Sequence, residues 1–426
     1  MIQRFKKYLP FPLILILIFA AGATAGWYIS KHPVLHIPSG TVYQKNSPES
    51  FYEEVYDKIK ENYWENITDE ALIQGFKDAS SAQGEPISSD VNTKSELIKA
   101  LNQEKAVKIT TQLLTNLKPL GRSGLFTSKQ KEQLNNTVAN VNPDKDLYKD
   151  LDLNKGASES AVADAYDKKQ EVLKKENTPE SLKKLKDLAY AKDVLTKKDS
   201  KKRYDGGGVE PTIFTKVLPN TLYLQFIKFS PTSLEEIQKA FEENKQSLPS
   251  SDGKDASLDS LIFDLRGNIG GAIDQTAYLI GFFIGRNQLA FDFYRKDDFL
   301  PLRTPTDKLP SVTKYKNIVI LIDNQTQSSA ELLAASFKKY NLGVVVGSPT
   351  RGWGTVEKIF QLENQVIEDE NYSIFLVHSI TLRDDNQPIE GRGVDPDINL
   401  TDPNWEKDFN TYSKNSSLLN AVKGVI

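Results

Sequence analysis

The sequence has no cysteine, one methionine and three histidines among its 426 residues. Without cysteine the chain can form no disulfide, no thiolate nucleophile and no Cys-ligated zinc site. The three histidines, His32, His36 and His378, are too few for a histidine-rich metal site. Calcium or magnesium held by carboxylates stays open on composition, but no loop carries the required ligand spacing. We therefore predict a protein without cofactor or metal.

The sequence also lacks a strong excess of charge of either sign. It contains 54 Lys and Arg and 57 Asp and Glu, which gives a net charge of −3. Nucleic-acid-binding proteins usually carry a basic surplus, so no nucleic-acid partner is expected. The hydrophobic fraction of 39% is that of an ordinary folded protein, and the length predicts two or three domains.

Only the N-terminus contains a long apolar run. Leu13–Ile29 follows Arg4, Lys6 and Lys7 and is close to the short limit for a helix that spans a membrane. The basic flank predicts a single N-terminal membrane pass, with the bulk of the chain extracytoplasmic, either periplasmic or extracellular. A signal peptide cleaved after Ala23–Ala25 is the alternative.

The most informative stretch combines two apolar strands with a serine turn. A strand at 318–323 runs through a polar turn into a helix that Ser328 opens, and a second strand at 344–346 precedes the Gly-rich loop 347–354. A serine at a strand-to-helix turn exposes its hydroxyl beside unpaired N–H groups that can bind an oxyanion, which is typical of a nucleophile. The alternative is that Ser328 only caps the helix, with Glu331 completing a capping box.

Four motifs in a fixed order point to a known family. They are LIFDLRGNIGG (Leu261–Gly271), the serine turn, SPTRGWGTVE (Ser348–Glu357) and IEGRGVDPDI (Ile389–Ile398). Together they resemble the C-terminal processing (tail-specific) serine peptidases. The resemblance implies a mixed α/β core, a nucleophile at Ser328, and an oxyanion hole built from Gly270, Gly271 and Ser329. It also implies peptide or protein C-termini as partners.

The same resemblance exposes departures from the family pattern. Trp353 stands where the family has its general-base lysine, because GWGT replaces Gly-Lys-Gly-Thr, and Glu357 stands where an assisting glutamine is usual. Gly267 and Ile269 replace the common asparagine and proline of the oxyanion loop. Tryptophan has no titratable group, so the remaining candidate bases are Glu357 and His378.

The segment 143–206 resembles a J-domain, the co-chaperone module, at the place where the family usually has a peptide-binding PDZ domain. A J-domain stimulates its chaperone ATPase through a His-Pro-Asp tripeptide, and the corresponding positions here hold Lys174, Lys175 and Glu176. A chaperone ATPase partner is therefore not expected, and what the pattern predicts is a helical hairpin with an apolar seam. The basic run Lys197–Arg203 is either a solvated face or a contact with anionic lipid.

Hydrophobic periodicity predicts the remaining elements. Helices are expected at 97–117, 127–138, 233–244 and 274–285, an edge excursion at 286–316, and a strand at 372–382. The predicted division is a membrane anchor or signal (1–30), a linker (31–48), a helical N-terminal region (49–142), the J-domain-like domain (143–206), the α/β core (207–405) and a C-terminal tail (406–426).

Two functions remain open on the sequence. The first is a membrane-anchored serine peptidase acting on C-terminal segments of extracytoplasmic proteins. The second is an inactive pseudo-peptidase that binds such segments or acts as a scaffold. The oligomeric state is not predicted.

Overall fold

The computed structural model describes residues 47–244 and 258–426. The predicted anchor and nearly all of the predicted linker lie outside these residues. Within the described ranges no helix is long and apolar enough to cross a membrane.

The described chain is a mixture of helices and strands, numbered here in chain order. The helices are α1 (Pro48–Asn62), α2 (Asp69–Ala82), α3 (Lys94–Ala100), α4 (Ala106–Asn116), α5 (Ser128–Ala139), α6 (Leu147–Asp150), α7 (Glu159–Glu176), α8 (Pro179–Thr196), α9 (Lys198–Gly207), α10 (Ser233–Glu243), α11 (Asp274–Ile284), α12 (Ser329–Lys339), α13 (Trp405–Tyr412) and α14 (Ser416–Lys423). The strands are β1 (Gly124–Phe126), β2 (Ile213–Leu218), β3 (Thr221–Phe226), β4 (Ser260–Asp264), β5 (Leu289–Arg295), β6 (Asp298–Arg303), β7 (Asn317–Ile322), β8 (Val344–Gly347), β9 (Thr355–Gln361), β10 (Ser373–Thr381) and β11 (Ile398–Asn399).

Residues Val141–Glu210 form a compact helical unit of α6 to α9. Ser158 and Thr178 cap α7 and α8 with their hydroxyls, and Asn177 ends α7 in the left-handed conformation, which turns the chain back as a hairpin. The predicted apolar seam forms the core of this unit. Its buried members are Leu147, Tyr148, Leu151, Val162, Tyr166, Leu188, Ala191, Val194, Leu195 and Tyr204.

The other compact unit contains a six-stranded sheet with the order β11-β8-β7-β4-β3-β2. All neighbouring pairs are parallel except β2 with β3. The central strands β4, β7 and β8 are continuous apolar runs, as expected for strands covered on both faces. Phe241 of α10, Leu279 of α11 and Phe337 of α12 pack in the core on one face.

A second, five-stranded sheet belongs to the same unit. Its strand order is β1-β10-β5-β6, and β9 pairs antiparallel with the other edge of β10. The N-terminal helices cover this sheet, because Phe51, Ile59 and Phe76 share a core with Ile374 and Leu376 of β10. Strand β9 begins directly after the Gly-rich loop 347–354, so this loop connects the six-stranded sheet to the five-stranded sheet.

The segment 97–117, predicted as one helix, is two. Helix α3 ends at Ala100, and the Asn102 side chain accepts the backbone N–H groups of Glu104 and Lys105 before α4 begins. Asparagine competes well for local backbone groups, which is why an apolar pattern without Gly or Pro still breaks here.

The edge excursion predicted at 286–316 is a β-hairpin of β5 and β6. Its two-residue turn, Lys296 and Asp297, has φ values of 49° and 64°. Two successive positive φ angles match the twist of the flanking strands. Lys-Asp is an uncommon sequence for such a turn, so the sequence did not indicate a hairpin here.

The C-terminal residues 406–426, predicted as a tail, are part of the core. They lie mainly in α13 and α14, whose Phe409, Leu418 and Val422 are fully buried. These side chains pack against Val319 and Leu321 of β7, on the face of the six-stranded sheet opposite α12. A buried parallel sheet needs cover on both faces, and these two short helices supply it.

Candidate active site

Ser328 lies between β7 and α12 in a strained backbone conformation. Its φ is 57° and its ψ is −127°, outside the usual regions for a residue with a side chain. The preceding turn is held by the Asp323 carboxylate, which accepts the N–H groups of Gln325 and Thr326. Such strain is concentrated at functional sites, where the surrounding structure enforces it. The local sequence therefore produces a strand-to-helix turn that presents a serine.

The glycines that follow β4 pack directly against this serine. A Cβ on Gly270 would lie 2.6 Å from Ser328 Cβ and 3.0 Å from its Oγ, so only glycine fits at this position. A Cβ on Gly271 would lie 2.0 Å from the Phe229 carbonyl oxygen, and the buried Ser329 hydroxyl donates to the Gly271 carbonyl over 3.1 Å. The structure thus brings together all three residues predicted for the oxyanion hole.

Their N–H groups are not equivalent. The N–H of Gly270 donates to the Asn268 side chain over 2.8 Å, so in this structure it is already engaged. Within the described residues, the N–H groups of Gly271 and Ser329 have no acceptor. They are the two donors that can meet a substrate carbonyl oxygen. Of the two family departures in this loop, Gly267 donates its N–H to Asp323, and Ile269 is 44% exposed.

Glu331 joins the serine turn to the Gly-rich loop. Its fully buried carboxylate accepts the N–H of Ser328 (2.8 Å), the Thr350 hydroxyl (2.6 Å), and the N–H groups of Gly352 (2.6 Å) and Trp353 (2.8 Å). Burial raises the pKa of Glu331, and these four hydrogen bonds oppose that shift. The capping interpretation foresaw only the bond to Ser328. The contacts to the loop are 19 to 22 residues away and leave no local sequence signal.

Trp353, which the resemblance predicts to stand in place of the family's lysine, is held from two directions. Its indole Nε1 donates to the Glu357 carboxylate over 3.2 Å. The Arg122 guanidinium lies 3.6 Å from the centre of its ring, a cation–π contact. Arg122 in turn bonds Glu390 (3.0 Å), whose second oxygen accepts the N–H of Gly354 over 2.8 Å. Neither Arg122 nor Glu390 stood out in the sequence as a site residue.

Glu357 also accepts the hydroxyl of Thr355 in addition to the indole N–H. Burial raises its pKa, while the hydrogen bonds from Thr355 and Trp353 and the charge of Arg122 oppose the shift. A carboxylate with a raised pKa is a stronger base than an ordinary carboxylate, and its pKa lies closer to neutral pH, where a general base works best. Its described contacts are with Trp353 and Thr355 rather than with Ser328.

His378, the other candidate base, lies elsewhere. It occupies a bulge in β10, with Nε2 3.2 Å from Lys358 Nζ and Nδ1 2.8 Å from the Ser379 hydroxyl. Lys358 follows Glu357 on β9, and successive side chains of a strand point to opposite faces. Burial, with the charge of Lys358 next, lowers the pKa of His378 to about 3. His378 is therefore neutral and weakly basic, on the face of β9 away from Glu357.

Comparison with known proteins agrees with the motifs. Residues 220–400 match the sequence model of peptidase family S41. Over 240 residues the chain is 24% identical to a carboxy-terminal-processing protease of Bartonella bacilliformis, covering 56% of this chain and 49% of that protein. Over 149 residues it is 26% identical to a probable CtpA-like serine protease of Staphylococcus aureus, covering 35% and 29%.

Among solved structures, the photosystem II D1 C-terminal processing protease matches with a TM-score of 0.49 and 14% identity, covering 84% of this chain and 94% of that one. The matched region covers about half or less of the length of the Bartonella and Staphylococcus relatives. The matches of sequence support a relationship between its α/β core and peptidase family S41.

Proposed function

We propose that this protein binds C-terminal segments of extracytoplasmic proteins in a peptidase-like site and cleaves them slowly or not at all. The observation that carries the proposal is the state of Trp353. The resemblance assigns it the position of the general base, and Arg122 and Glu357 hold its ring and its N–H.

A serine hydroxyl needs a proton acceptor before it can attack a peptide carbonyl, because the neutral hydroxyl is a poor nucleophile. The indole of Trp353 only donates, and the guanidinium of Arg122 stays protonated. Glu331 contacts the serine turn, but its carboxylate already accepts four hydrogen bonds. None of these three residues, Trp353, Arg122 and Glu331, therefore offers an unoccupied proton acceptor to Ser328.

The binding half of the site needs no base. The N–H groups of Gly271 and Ser329 are available to donate to a peptide carbonyl oxygen, and they are fixed by the loop after β4 and the start of α12. Recognition without turnover is therefore compatible with this geometry. The single N-terminal anchor and the J-domain-like character of the helical unit are part of the proposal, and both rest on the sequence alone.

An active peptidase is the second candidate, favoured by one observation. Glu357 is a carboxylate with a pKa raised by burial, directly beside the residue that replaces the lysine. In this alternative Glu357 takes the Ser328 proton after Trp353 has moved aside.

The test compares the full-length protein with its Ser328→Ala variant. We expect equal and negligible labelling by a fluorophosphonate probe and no cleavage of an unstructured fluorescent peptide. Fluorescence anisotropy should show that both proteins bind the peptide with similar affinity. Cleavage by the native protein that Ser328→Ala abolishes would establish the peptidase instead. Absence of both cleavage and peptide binding would contradict either function.

A further inference from the structure

Four basic groups converge on the face of β9 that points away from Glu357. Lys358 of β9 lies beside His378 of β10, with 3.2 Å between Nζ and Nε2. Arg295, the last residue of β5, and Lys296 of the hairpin turn are close enough for their charges to act on His378. Arg295 also acts on Lys358. These four residues are called the basic cluster below.

In the described part of the chain, the basic cluster forms no ion pair with a carboxylate. Across residues 47–244 and 258–426, no carboxylate lies within ion-pair distance of Arg295, Lys296 or Lys358. This contrasts with Arg286 on the preceding loop, whose guanidinium is paired with Asp307. Lys358 is exposed, whereas Arg295 and Lys296 are half-buried. Charges that lie partly out of solvent are normally paired, so the missing partners of Arg295 and Lys296 require an explanation.

Packing against α1 explains only part of the cluster. Arg295 Nη2 donates to the Glu61 carbonyl, and Lys296 Nζ donates to the carbonyls of Lys60 and Glu61, at the C-terminal end of α1. Cations are favourable at that end of a helix. However, Arg295 Nε is buried without a hydrogen-bond partner in the described part of the chain, and Lys358 takes no part in these contacts.

The electrostatics of the cluster are unfavourable as it stands. Burial lowers the pKa of Lys358 and of Lys296, and in each case the charge of Arg295 adds to the shift. Burial also lowers the pKa of Arg295. The other charged groups that act on the cluster are both on α1: Lys60 lowers the pKa of Lys296 and Glu61 raises it. A bound anion would relieve the repulsion.

We propose that Arg295, Lys358 and His378 form a binding site for an oxyanion group, a carboxylate or a phosphate, with Lys296 adding positive charge. Three features of the geometry support it. The Lys358 ammonium has N–H groups beyond the one directed at His378, the Arg295 Nε–H is unused, and the imidazole next to Lys358 gains a donor when an anion favours its protonation.

The site is separate from the serine turn and does not rest on the proposed peptide binding. Because the ligand chemistry is shared, two sources are possible: a free inorganic anion, or the terminal carboxylate of a bound peptide. Lys358 is the neighbour of Glu357 in β9, so the second source would connect the basic cluster to the candidate active site.

The test follows the imidazole of His378 by NMR in the full-length protein, with its signal assigned by comparison with His378→Gln. Inorganic phosphate is added at pH 6.5 and constant ionic strength. We expect a saturable shift of the His378 signal and a rise in its pKa when phosphate is bound. Lys358→Gln should weaken binding by about 10- to 100-fold, since it removes a charged hydrogen-bond donor.

The matched control is Lys216→Gln, which removes an exposed lysine from strand β2 of the other sheet and should leave binding unchanged. Arg295→Gln provides a second variant, checked for its thermal transition because Arg295 also contacts α1. An unmoved His378 signal in phosphate and in acetate, or equal binding by Lys358→Gln, would overturn the proposal.

Two peptides then distinguish the sources. A peptide with a free C-terminus that shifts the His378 signal, while its C-terminally amidated form does not, supports a peptide carboxylate as the ligand. Equal failure of both peptides alongside saturable phosphate binding supports a free inorganic anion. Either result retains the oxyanion site.

Discussion

The candidate active site has a serine side and a tryptophan side, and both are fixed by the carboxylate of Glu331. On the serine side, a strained Ser328 meets Gly270 at a distance that allows no side chain. On the tryptophan side, Trp353 is enclosed by Arg122 and Glu357, which satisfy its ring and its N–H. The serine side has a strained backbone, while the tryptophan side consists of a packed ring and a satisfied N–H.

The difference separates architecture from catalysis. Glu331 bonds the backbone N–H groups of Ser328, Gly352 and Trp353, and backbone groups are the same whatever side chain position 353 carries. The loop can therefore keep its place whichever side chain stands at position 353. A site of this kind can lose turnover without losing its shape.

The largest effect is expected from restoring a base. The double change Trp353→Lys with Glu357→Gln should raise peptide hydrolysis by about 10²–10⁴-fold, the usual contribution of general-base catalysis. Arg122, now beside the ring, would repel a protonated lysine and favour its neutral form, whereas Glu357 would hold the lysine protonated. The double variant should therefore exceed Trp353→Lys alone. Hydrolysis is measured with a quenched fluorescent peptide.

The matched control for this gain is Trp353→Met with Glu357→Gln, which removes the indole without supplying a base. Adding Ser328→Ala to the lysine variant should return hydrolysis to background. If the lysine and methionine variants hydrolyse the peptide equally, the missing base is not what limits this site.

A stability loss of about 3–5 kcal/mol is expected from Glu331→Ala, because it leaves four buried or half-buried donors without an acceptor. Urea unfolding measures the free energy of unfolding, with Glu132→Ala as the control at an exposed helix position. A change within about 0.5 kcal/mol, as for surface substitutions, would mean that Glu331 does not hold the two sides together.

Gly270→Ala tests the close approach on the serine side. The new Cβ would lie 2.6 Å from Ser328 Cβ and 2.9 Å from the Gln327 carbonyl oxygen. Gly84→Ala is the matched control, since Gly84 has φ 79° against 81° for Gly270 but has no atom within 4 Å of a Cβ. Both variants bear the left-handed strain, so overcrowding should make Gly270→Ala less stable than the control by about 1–3 kcal/mol. Equal losses of free energy of unfolding in the two variants would show that the residues around Gly270 can move to accommodate a Cβ.

These distances also show what the sequence could and could not predict. The strand, turn and helix around Ser328 follow from contiguous residues, and the order of the motifs indicated Gly270, Gly271 and Ser329. Predicting the direction of the Gly270 N–H was not possible, because it depends on the orientation of the Asn268 side chain.

Contacts distant in sequence explain the remaining misses. Arg122 and Glu390 are separated by 268 residues, and only the fold brings them to Trp353 and Gly354. The C-terminal helices were predicted as a tail for the same reason, since their apolar residues are few and become a core only against β7. Periodicity reports which side of an element is apolar but not which partner covers it.

The smallest effect, and the one that most directly probes the tryptophan side, is the pH dependence that Glu357 contributes. Burial raises its folded-state pKa above the unfolded value, so the folded state holds the proton more tightly and stability falls as pH rises from the unfolded pKa to the folded one. Glu357→Gln removes this titration while keeping an acceptor for the Trp353 N–H. The variant should therefore gain stability relative to the native protein as pH rises through that window, and the two curves should run parallel above it. Urea unfolding at a series of pH values measures the difference. If the native protein instead gains stability over the variant in this window, Glu357 is stabilised as an anion, and the tryptophan side carries a charge ready to accept a proton.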